Sequence, residues 1–166
     1  MTAPAAGSSP SPFGDSIAIG QIGVAKGHGV LRTLVGSCVA LVLHAAHHRV
    51  CGVAHVMLPA SEGRGSPPGK YADTAVAETL RLIREVAQDP GLSCTAKLVG
   101  GAAMFAFRAG IPIGEQNVAA LERVLGEYGI EIVGRACGGQ HGRRVTVDVA
   151  TGTVTIATAE YGIETL

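Results

Sequence analysis

The sequence predicts an α+β fold, a layered sandwich of the α/β/β/α type with mixed sheets packed face to face and helices outside. Three observations predict it. Short runs rich in valine and bounded by turn residues are typical of buried strands. Two later segments have apolar residues at helical spacing. The 24 glycines among the 166 residues favour short strands joined by tight turns over long helices.

Strands account for most of the predicted elements. Residues 39–43 and 50–58 are apolar runs on either side of a polar turn at His47 and His48, a pattern that predicts a β-hairpin. Further strands are predicted at residues 17–25, 30–35, 95–99, 130–136, 143–149 and 153–159.

Two helices are predicted. The first opens at Asp73, a candidate N-cap, and ends before the sequence Asp-Pro-Gly at residues 89–91. The second covers residues 117–128, with Asn117 near its start as a cap and Gly129 after its end. Residues 60–69 contain glycine, serine and two prolines, and predict an irregular surface loop.

Composition predicts one domain over residues 16–166 and a disordered tail over residues 1–15, which are rich in alanine, proline, serine and glycine. The formal net charge is zero, which argues against a general nucleic-acid binder. No apolar run approaches the ~20 residues that span a bilayer, so no membrane insertion is expected. The four cysteines show no CxxC spacing, which favours a reduced cytoplasmic protein with free thiols.

The predicted hairpin brings a cysteine and a histidine together. If the two histidines of the turn form the loop, His55 lies opposite Ala40, and Cys38 shares the face of Ala40. Diagonal neighbours on paired strands have Cα atoms ~7–8 Å apart, within reach of longer side chains. A slip of one residue would place the two side chains on opposite faces, so this prediction depends on the turn.

This pair has the chemistry of a nucleophile and its base. An imidazole is the side chain best suited to deprotonate a thiol near neutral pH. Gly36 and Ser37 allow a sharp bend before Cys38 and expose backbone N–H groups near the sulfur. Thr33, just upstream, is a candidate third member that fixes the imidazole tautomer.

Two structural interpretations compete with catalysis. A cysteine or a histidine on an apolar strand is often an ordinary core residue. Zinc is the second alternative, because five possible ligands are close in sequence: His44, His47, His48, Cys51 and His55. No metal site is assigned, because strand alternation interrupts the compact spacing of a structural zinc site.

Several blocks of the sequence match a known family in the family's order. They are GSCVAL, GVAHVMLP, GKYADTAV, KLVGGAAMF, IGEQN and GGQHGR, within residues 17–154. In these blocks the chain resembles CheD, the chemoreceptor glutamine deamidase of bacterial and archaeal chemotaxis.

The resemblance implies the layered fold of cysteine-dependent toxin deamidases and hydrolysis of glutamine side chains on chemoreceptor cytoplasmic helices. It implies Cys38, His55 and Thr33 as catalytic residues, no cofactor, and CheC, a phosphatase, as a possible partner. Residues expected near the oxyanion or substrate are Gly36, Ser37, Lys70, Tyr71, Asp73, Gly100 and Gly101. For Asp73 a capping role is an equal alternative, and Gly100 and Gly101 could instead allow a helix to pack closely.

Two other functions stay open. The chain could act chiefly as a chemotaxis interaction module that binds CheC. Alternatively, the same cysteine and histidine could hydrolyse another amide or a glutamyl methyl ester. His141 lies in a glycine-rich turn and has no family role assigned, so a surface position is expected for it.

Overall fold

A computed structural model of the chain describes residues 16–104 and 110–166; the predicted tail at residues 1–15 lies outside the described residues. The strands are β1 (Ile22–Lys26), β2 (Val30–Val35), β3 (Val39–Ala45), β4 (Val50–Val56), β5 (Thr95–Gly100), β6 (Ile132–Cys137), β7 (Arg143–Asp148), β8 (Val154–Thr158) and β9 (Gly162–Thr165). The α-helices are α1 (Ala72–Ala87) and α2 (Ile113–Glu127).

These strands form two sheets. The larger sheet has the order β1-β4-β3-β5-β6, and the smaller has the order β2-β7-β8-β9. All pairs in the smaller sheet are antiparallel. In the larger sheet β5 and β6 run parallel, joined by α2, whereas the other pairs are antiparallel. The larger sheet is therefore mixed, as the sequence predicted.

Strand β3 divides the core because its side chains alternate between the two faces of the larger sheet. Val39, Leu41 and Leu43 pack with residues of both helices. Ala40 and Val42 pack instead with residues of the smaller sheet. The predicted α+β layered sandwich is confirmed. In the described part of the chain both helices cover the same face of the larger sheet, so the layers follow the order α/β/β.

The predicted hairpin register is confirmed. Ala40 pairs with His55, and the last pair before the turn is Ala45 with Val50. The turn is longer than predicted, because it contains a 3-10 turn at Ala46–His48 and then Arg49 in the left-handed region, at φ 51°. The longer turn leaves the pairing unchanged, and so Cys38 and Ala40 keep their predicted face.

Several element ends differ from the prediction. Regular pairing of β1 begins only at Ile22, because the chain turns at Gly20, whose φ is +80°. Helix α2 begins at Ile113, after Pro112. Strand β9 had not been predicted, since all four of its residues are exposed and show no apolar alternation. Among the described residues no helix is long and apolar enough to cross a membrane.

Candidate functional site

Cys38 lies where the chain crosses from one sheet to the other. Strand β2 ends at Val35 in the smaller sheet, and β3 begins at Val39 in the larger sheet. The connection is the three-residue segment 36–38, which we call the crossover loop. Its glycine has close neighbours, because a Cβ built at Gly36 would lie 3.2 Å from Met104 Cγ. The fold therefore places the thiol at the mouth of the space between the sheets.

Hydrogen bonds hold all three carbonyl groups of the crossover loop. The Ala102 backbone N–H donates to the carbonyl of Gly36 at 2.9 Å, and the Gly101 N–H donates to that of Cys38 at 2.9 Å. The Asn117 side-chain amide donates to the carbonyl of Ser37 at 3.2 Å. The loop is thus fixed from the side on which the end of β5 and helix α2 lie.

His55 approaches from β4 in the larger sheet. Its backbone bonds to the segment before β1, with its N–H donating to Gln21 O at 3.1 Å and its carbonyl accepting from Gly20 N–H at 2.9 Å. It therefore faces Ala40 of β3 across a pair without mutual backbone hydrogen bonds, in which side chains approach most closely. The imidazole is buried, at 4% exposure.

The partners of the imidazole determine which of its nitrogens carries the proton. Thr33 Oγ1 lies 2.8 Å from His55 Nδ1 and donates its own proton to the Ile17 carbonyl at 2.7 Å. That carbonyl also lies 3.2 Å from Nδ1. A carbonyl only accepts, and the threonine hydroxyl has already used its proton, so Nδ1 must be the protonated nitrogen. The lone pair of the imidazole then lies on Nε2, which is the nitrogen that can act as a base.

Cys38 and His55 share one cavity of about 590 Å³. The cavity includes Gly36 and Ser37, and the remaining lining residues are Ser16, Ile17, Ala18, Ile19, Leu34 and Met104. Three of the lining side chains are well exposed: Ile19, Leu34 and Met104. Cys38 and His55 therefore share a cavity with an apolar rim formed by these three residues, and no charged side chain lines the cavity in the described part of the chain.

Burial shifts the pKa of both groups away from ionisation. It raises the pKa of the Cys38 thiol. Desolvation lowers the pKa of His55, and the hydrogen bond to the Ile17 carbonyl offsets only part of that effect. Both shifts favour the neutral thiol and the neutral imidazole over the pair of thiolate and imidazolium.

Gly100 and Gly101, which were expected from the sequence to lie near the oxyanion or substrate, pack against the crossover loop and α2. Gly100 has φ +122°, and a Cβ there would collide with the Cys38 carbonyl. Gly101 has φ +67°, and a Cβ there would lie 2.6 Å from Val118 Cγ2 of α2. Because these two residues have no side chains, the crossover loop and α2 can both approach the end of β5 closely.

Lys70, Tyr71 and Asp73 are not among the residues that line this cavity in the described chain. The Lys70 carbonyl accepts from the N–H groups of Met57 and Leu58, just beyond β4. The prediction that Asp73 caps α1 is wrong, because Tyr71 holds the N-cap position without a side-chain bond. Asp73 lies in the first turn, where its carboxylate accepts from both the N–H and the hydroxyl of Ser61.

The other histidines and cysteines lie apart from the cavity. His44 pairs with Cys51, as the register predicted. Even so, residues 16–104 and 110–166 contain no group of three or more metal-ligating side chains. His141 forms an ion pair with Glu160 at 2.9 Å and packs edge-on against Tyr161. This surface pair matches the expected surface position of His141.

Sequence reasoning missed the position of Asn117. It is fully buried inside α2, whereas the sequence predicted it as a cap at the start of a shorter helix. The sequence did contain a signal for the true start of α2, because a proline such as Pro112 is typical of the beginning of a helix. A helix that begins there places Asn117 on the same buried face as Leu121 and Val124, where a polar residue is unusual.

Comparison with known proteins gives a consistent result. The model of the family described as CheD chemotactic sensory transduction matches residues 57–158. A probable chemoreceptor glutamine deamidase CheD of Methanococcus vannielii is 42% identical over 143 residues, covering 84% of this chain and 92% of that protein.

Two further relatives carry the name chemoreceptor glutamine deamidase CheD. That of Thermotoga maritima is 39% identical over 137 residues, covering 82% of this chain and 86% of the relative. That of Bacillus licheniformis is 34% identical over 157 residues, covering 90% and 93%. With a family match over most of its length and such identities to full-length relatives, the chain belongs to the CheD family.

Proposed function

We propose that this chain hydrolyses glutamine side-chain amides of chemoreceptors to glutamate, with Cys38 as nucleophile and His55 as general acid and base. One observation carries the proposal: Cys38 and His55 line one cavity, and Thr33 with the Ile17 carbonyl holds Nδ1 so that Nε2 is the basic nitrogen. The names of the relatives support the substrate.

The first half of the reaction forms a thioester. The Cys38 thiol gives its proton to His55 Nε2, and the sulfur attacks the amide carbon. The carbonyl π electrons move onto oxygen, giving a tetrahedral oxyanion. As the oxyanion collapses, the carbon–nitrogen bond breaks and Nε2–H gives its proton to the departing nitrogen, which leaves as ammonia.

The second half restores the enzyme. A water molecule gives a proton to Nε2 and attacks the thioester carbon. The second oxyanion then expels the sulfur, which recovers its proton from Nε2, and a glutamate side chain remains. Each cycle consumes one water and releases one ammonia, and no cofactor is needed. The new carboxylate adds a negative charge to the receptor helix and changes its electrostatics.

The crossover loop offers donors for the oxyanion. In the described chain neither Ser37 N–H nor Cys38 N–H donates a hydrogen bond to protein. Both belong to residues that line the cavity beside the sulfur. Removing one such donor typically costs about 2.7–4 kcal/mol of transition-state stabilisation.

The apolar rim supports a protein substrate over free glutamine. Free glutamine carries an ammonium and a carboxylate, and the cavity lining offers no opposite charge to either in the described chain. A glutamine on a helix instead presents its side chain alone, with neighbouring apolar side chains available to contact Ile19, Leu34 and Met104.

Cys38→Ala tests the proposal directly. Purified parent protein should release ammonia from receptor cytoplasmic fragments, and the fragments should gain the mass that conversion of an amide to an acid produces. Cys38→Ala should do neither, whereas Cys94→Ala should behave as the parent. Ammonia release by the Cys38→Ala protein would refute cysteine catalysis.

A second candidate is a chemotaxis interaction module that binds CheC. The exposed apolar rim favours it, because solvent-exposed apolar clusters are typical of contact surfaces. Retained receptor signalling in a Cys38→Ala strain, with loss in a Leu34→Glu strain, would favour binding over catalysis. A panel of glutamine proteins, free glutamine and glutamyl methyl esters separates the remaining hydrolase alternatives.

A further inference from the structure

Asn117 connects the two halves of the candidate active site from behind. Its side-chain nitrogen donates to the Ser37 carbonyl at 3.2 Å and to the Met57 carbonyl at 2.9 Å. Ser37 directly precedes the cysteine, and Met57 follows His55 by two residues. One amide group therefore links the crossover loop, which connects the two sheets, to the segment that follows β4.

The hydrogen bond from Asn117 to the Ser37 carbonyl also fixes the direction of the Cys38 backbone N–H, on the opposite side of the crossover loop. In a trans peptide the N–H of one residue points away from the carbonyl of the residue before it. Because the Ser37 carbonyl points toward Asn117 on α2, the Cys38 N–H points away from α2. That N–H makes no hydrogen bond within the described chain, and Cys38 lines the cavity.

Burying Asn117 lowers the stability of the fold, so a role as a space-filling residue does not explain it. It is fully buried, and its Oδ1 has no hydrogen-bond partner in the described part of the chain. A buried, unsatisfied acceptor destabilises the folded state relative to an apolar side chain of the same shape. Leucine would fill the site without that cost, so the two donated hydrogen bonds are the feature that an asparagine supplies.

We propose that Asn117 is a positioning residue that aims the Cys38 backbone N–H at the oxyanion of the tetrahedral intermediate. The inference rests on the proposed amide hydrolysis and deepens it. Asn117 lies behind the crossover loop. It is not among the residues that line the cavity in which the substrate side chain would bind. Its effect passes through the Ser37–Cys38 peptide, whose orientation it sets from the carbonyl end.

The test separates oxyanion stabilisation from thiol reactivity. Asn117→Leu keeps the number and branching of the side-chain heavy atoms and removes both N–H donors. We expect kcat on receptor fragments to fall about 100-fold, the scale seen when an oxyanion donor is lost, with KM unchanged. Alkylation of Cys38 by iodoacetamide forms no oxyanion, so its rate should equal that of the parent. Thr79→Val is the matched control: Thr79 is also fully buried, and its hydroxyl has no hydrogen-bond partner within the described chain, but it lies on α1. The kcat of this variant should not change.

A second measurement on the parent protein does not depend on how the variant folds. A peptide bearing glutamate γ-semialdehyde, the aldehyde analogue of glutamine, forms a thiohemiacetal whose oxygen occupies the oxyanion position. The amide proton of Cys38 should then shift downfield in the NMR spectrum. An unchanged Cys38 amide proton, or an unchanged kcat in folded Asn117→Leu, would overturn the role of Asn117.

Two further outcomes are distinguishable. Equal losses of kcat and of the Cys38 alkylation rate in Asn117→Leu would mean that Asn117 holds the thiol against the imidazole, which contradicts the oxyanion role. Undiminished ammonia release by Cys38→Ala would instead refute the proposed function on which the inference rests.

Discussion

The Thr33 hydroxyl lies 2.8 Å from His55 Nδ1, although the two residues belong to different sheets. Thr33 is on β2 of the smaller sheet and His55 is on β4 of the larger sheet, and both are buried. Their contact lies in the interlayer core, where the Ile17 carbonyl accepts the threonine proton at 2.7 Å. The packing of one sheet on the other thus sets the tautomer of the histidine.

Removing the Thr33 hydroxyl should weaken the base without abolishing it. In Thr33→Val the Nδ1–H keeps only the longer contact with the Ile17 carbonyl, 3.2 Å away. Loss of one neutral hydrogen bond, worth about 1 kcal/mol, should lower kcat by about fivefold, and Thr33→Ser should recover most of it. Thr146→Val, in the same sheet and half-exposed, is the control and should retain the parent rate. An unchanged rate in Thr33→Val would contradict the role assigned to Thr33.

Activity should persist to lower pH than an ordinary histidine would allow. The reaction needs neutral His55, and desolvation lowers its pKa below the usual value near 6.5. As pH falls through that usual value the imidazole stays deprotonated, so kcat/KM should be maintained there and decline only at lower pH. A pH profile of kcat/KM checks this, and a decline that begins above the usual histidine pKa would contradict it.

Iodoacetamide should modify Cys38 before the other cysteines. Burial raises the pKa of Cys51 to about 12 and that of Cys94 to about 11. Burial also raises the pKa of Cys38, but this thiol shares a cavity with a neutral imidazole that can take its proton.

The control for this labelling is His55→Gln. The substitution should slow modification of Cys38 and leave that of Cys94 unchanged, as measured by mass spectrometry of digested protein over time. Labelling of Cys38 that does not depend on His55 would argue against proton transfer between them.

Gly100→Ala should damage both the fold and the site. The added Cβ would collide with the Cys38 carbonyl at a backbone φ of +122°, so the crossover loop must move. Gly129→Ala is the matched control, with φ +65° and open space around its Cβ. The control should lose only about 1–2 kcal/mol of unfolding free energy and keep its kcat. Full activity in Gly100→Ala would show that the loop tolerates displacement.

Asp73→Ala should affect stability more than catalysis. Its carboxylate binds the N–H and hydroxyl of Ser61, and hydrogen bonds to a charged group contribute about 1.5–3 kcal/mol. We expect denaturant unfolding to show a loss on that scale with kcat and KM unchanged. Glu62→Ala removes an exposed ion pair with Arg64 in the same loop and should cost less than about 1 kcal/mol. A raised KM in Asp73→Ala would indicate substrate contact instead.

Helix boundaries show where local pattern failed. Periodicity identified α2, but a helix drawn from residue 117 made Asn117 a cap, whereas the helix begins at Ile113. The same error of a few residues made Asp73 a cap of α1. Apolar spacing identifies the buried face of a helix, whereas its first turn depends on contacts with the preceding loop, such as that of Asp73 with Ser61.

The sequence by itself predicted the register of β3 and β4, because a hairpin centred on His47 and His48 pairs Ala40 with His55. That register placed Cys38 and His55 on one face. Tertiary structure alone decided what holds them: the hydroxyl of Thr33, the Ile17 carbonyl and the amide of Asn117. These partners are 16 to 80 residues distant along the chain from the groups that they bind, and only the packing of two sheets and a helix brings them together. Local periodicity carries no information about contacts of that range.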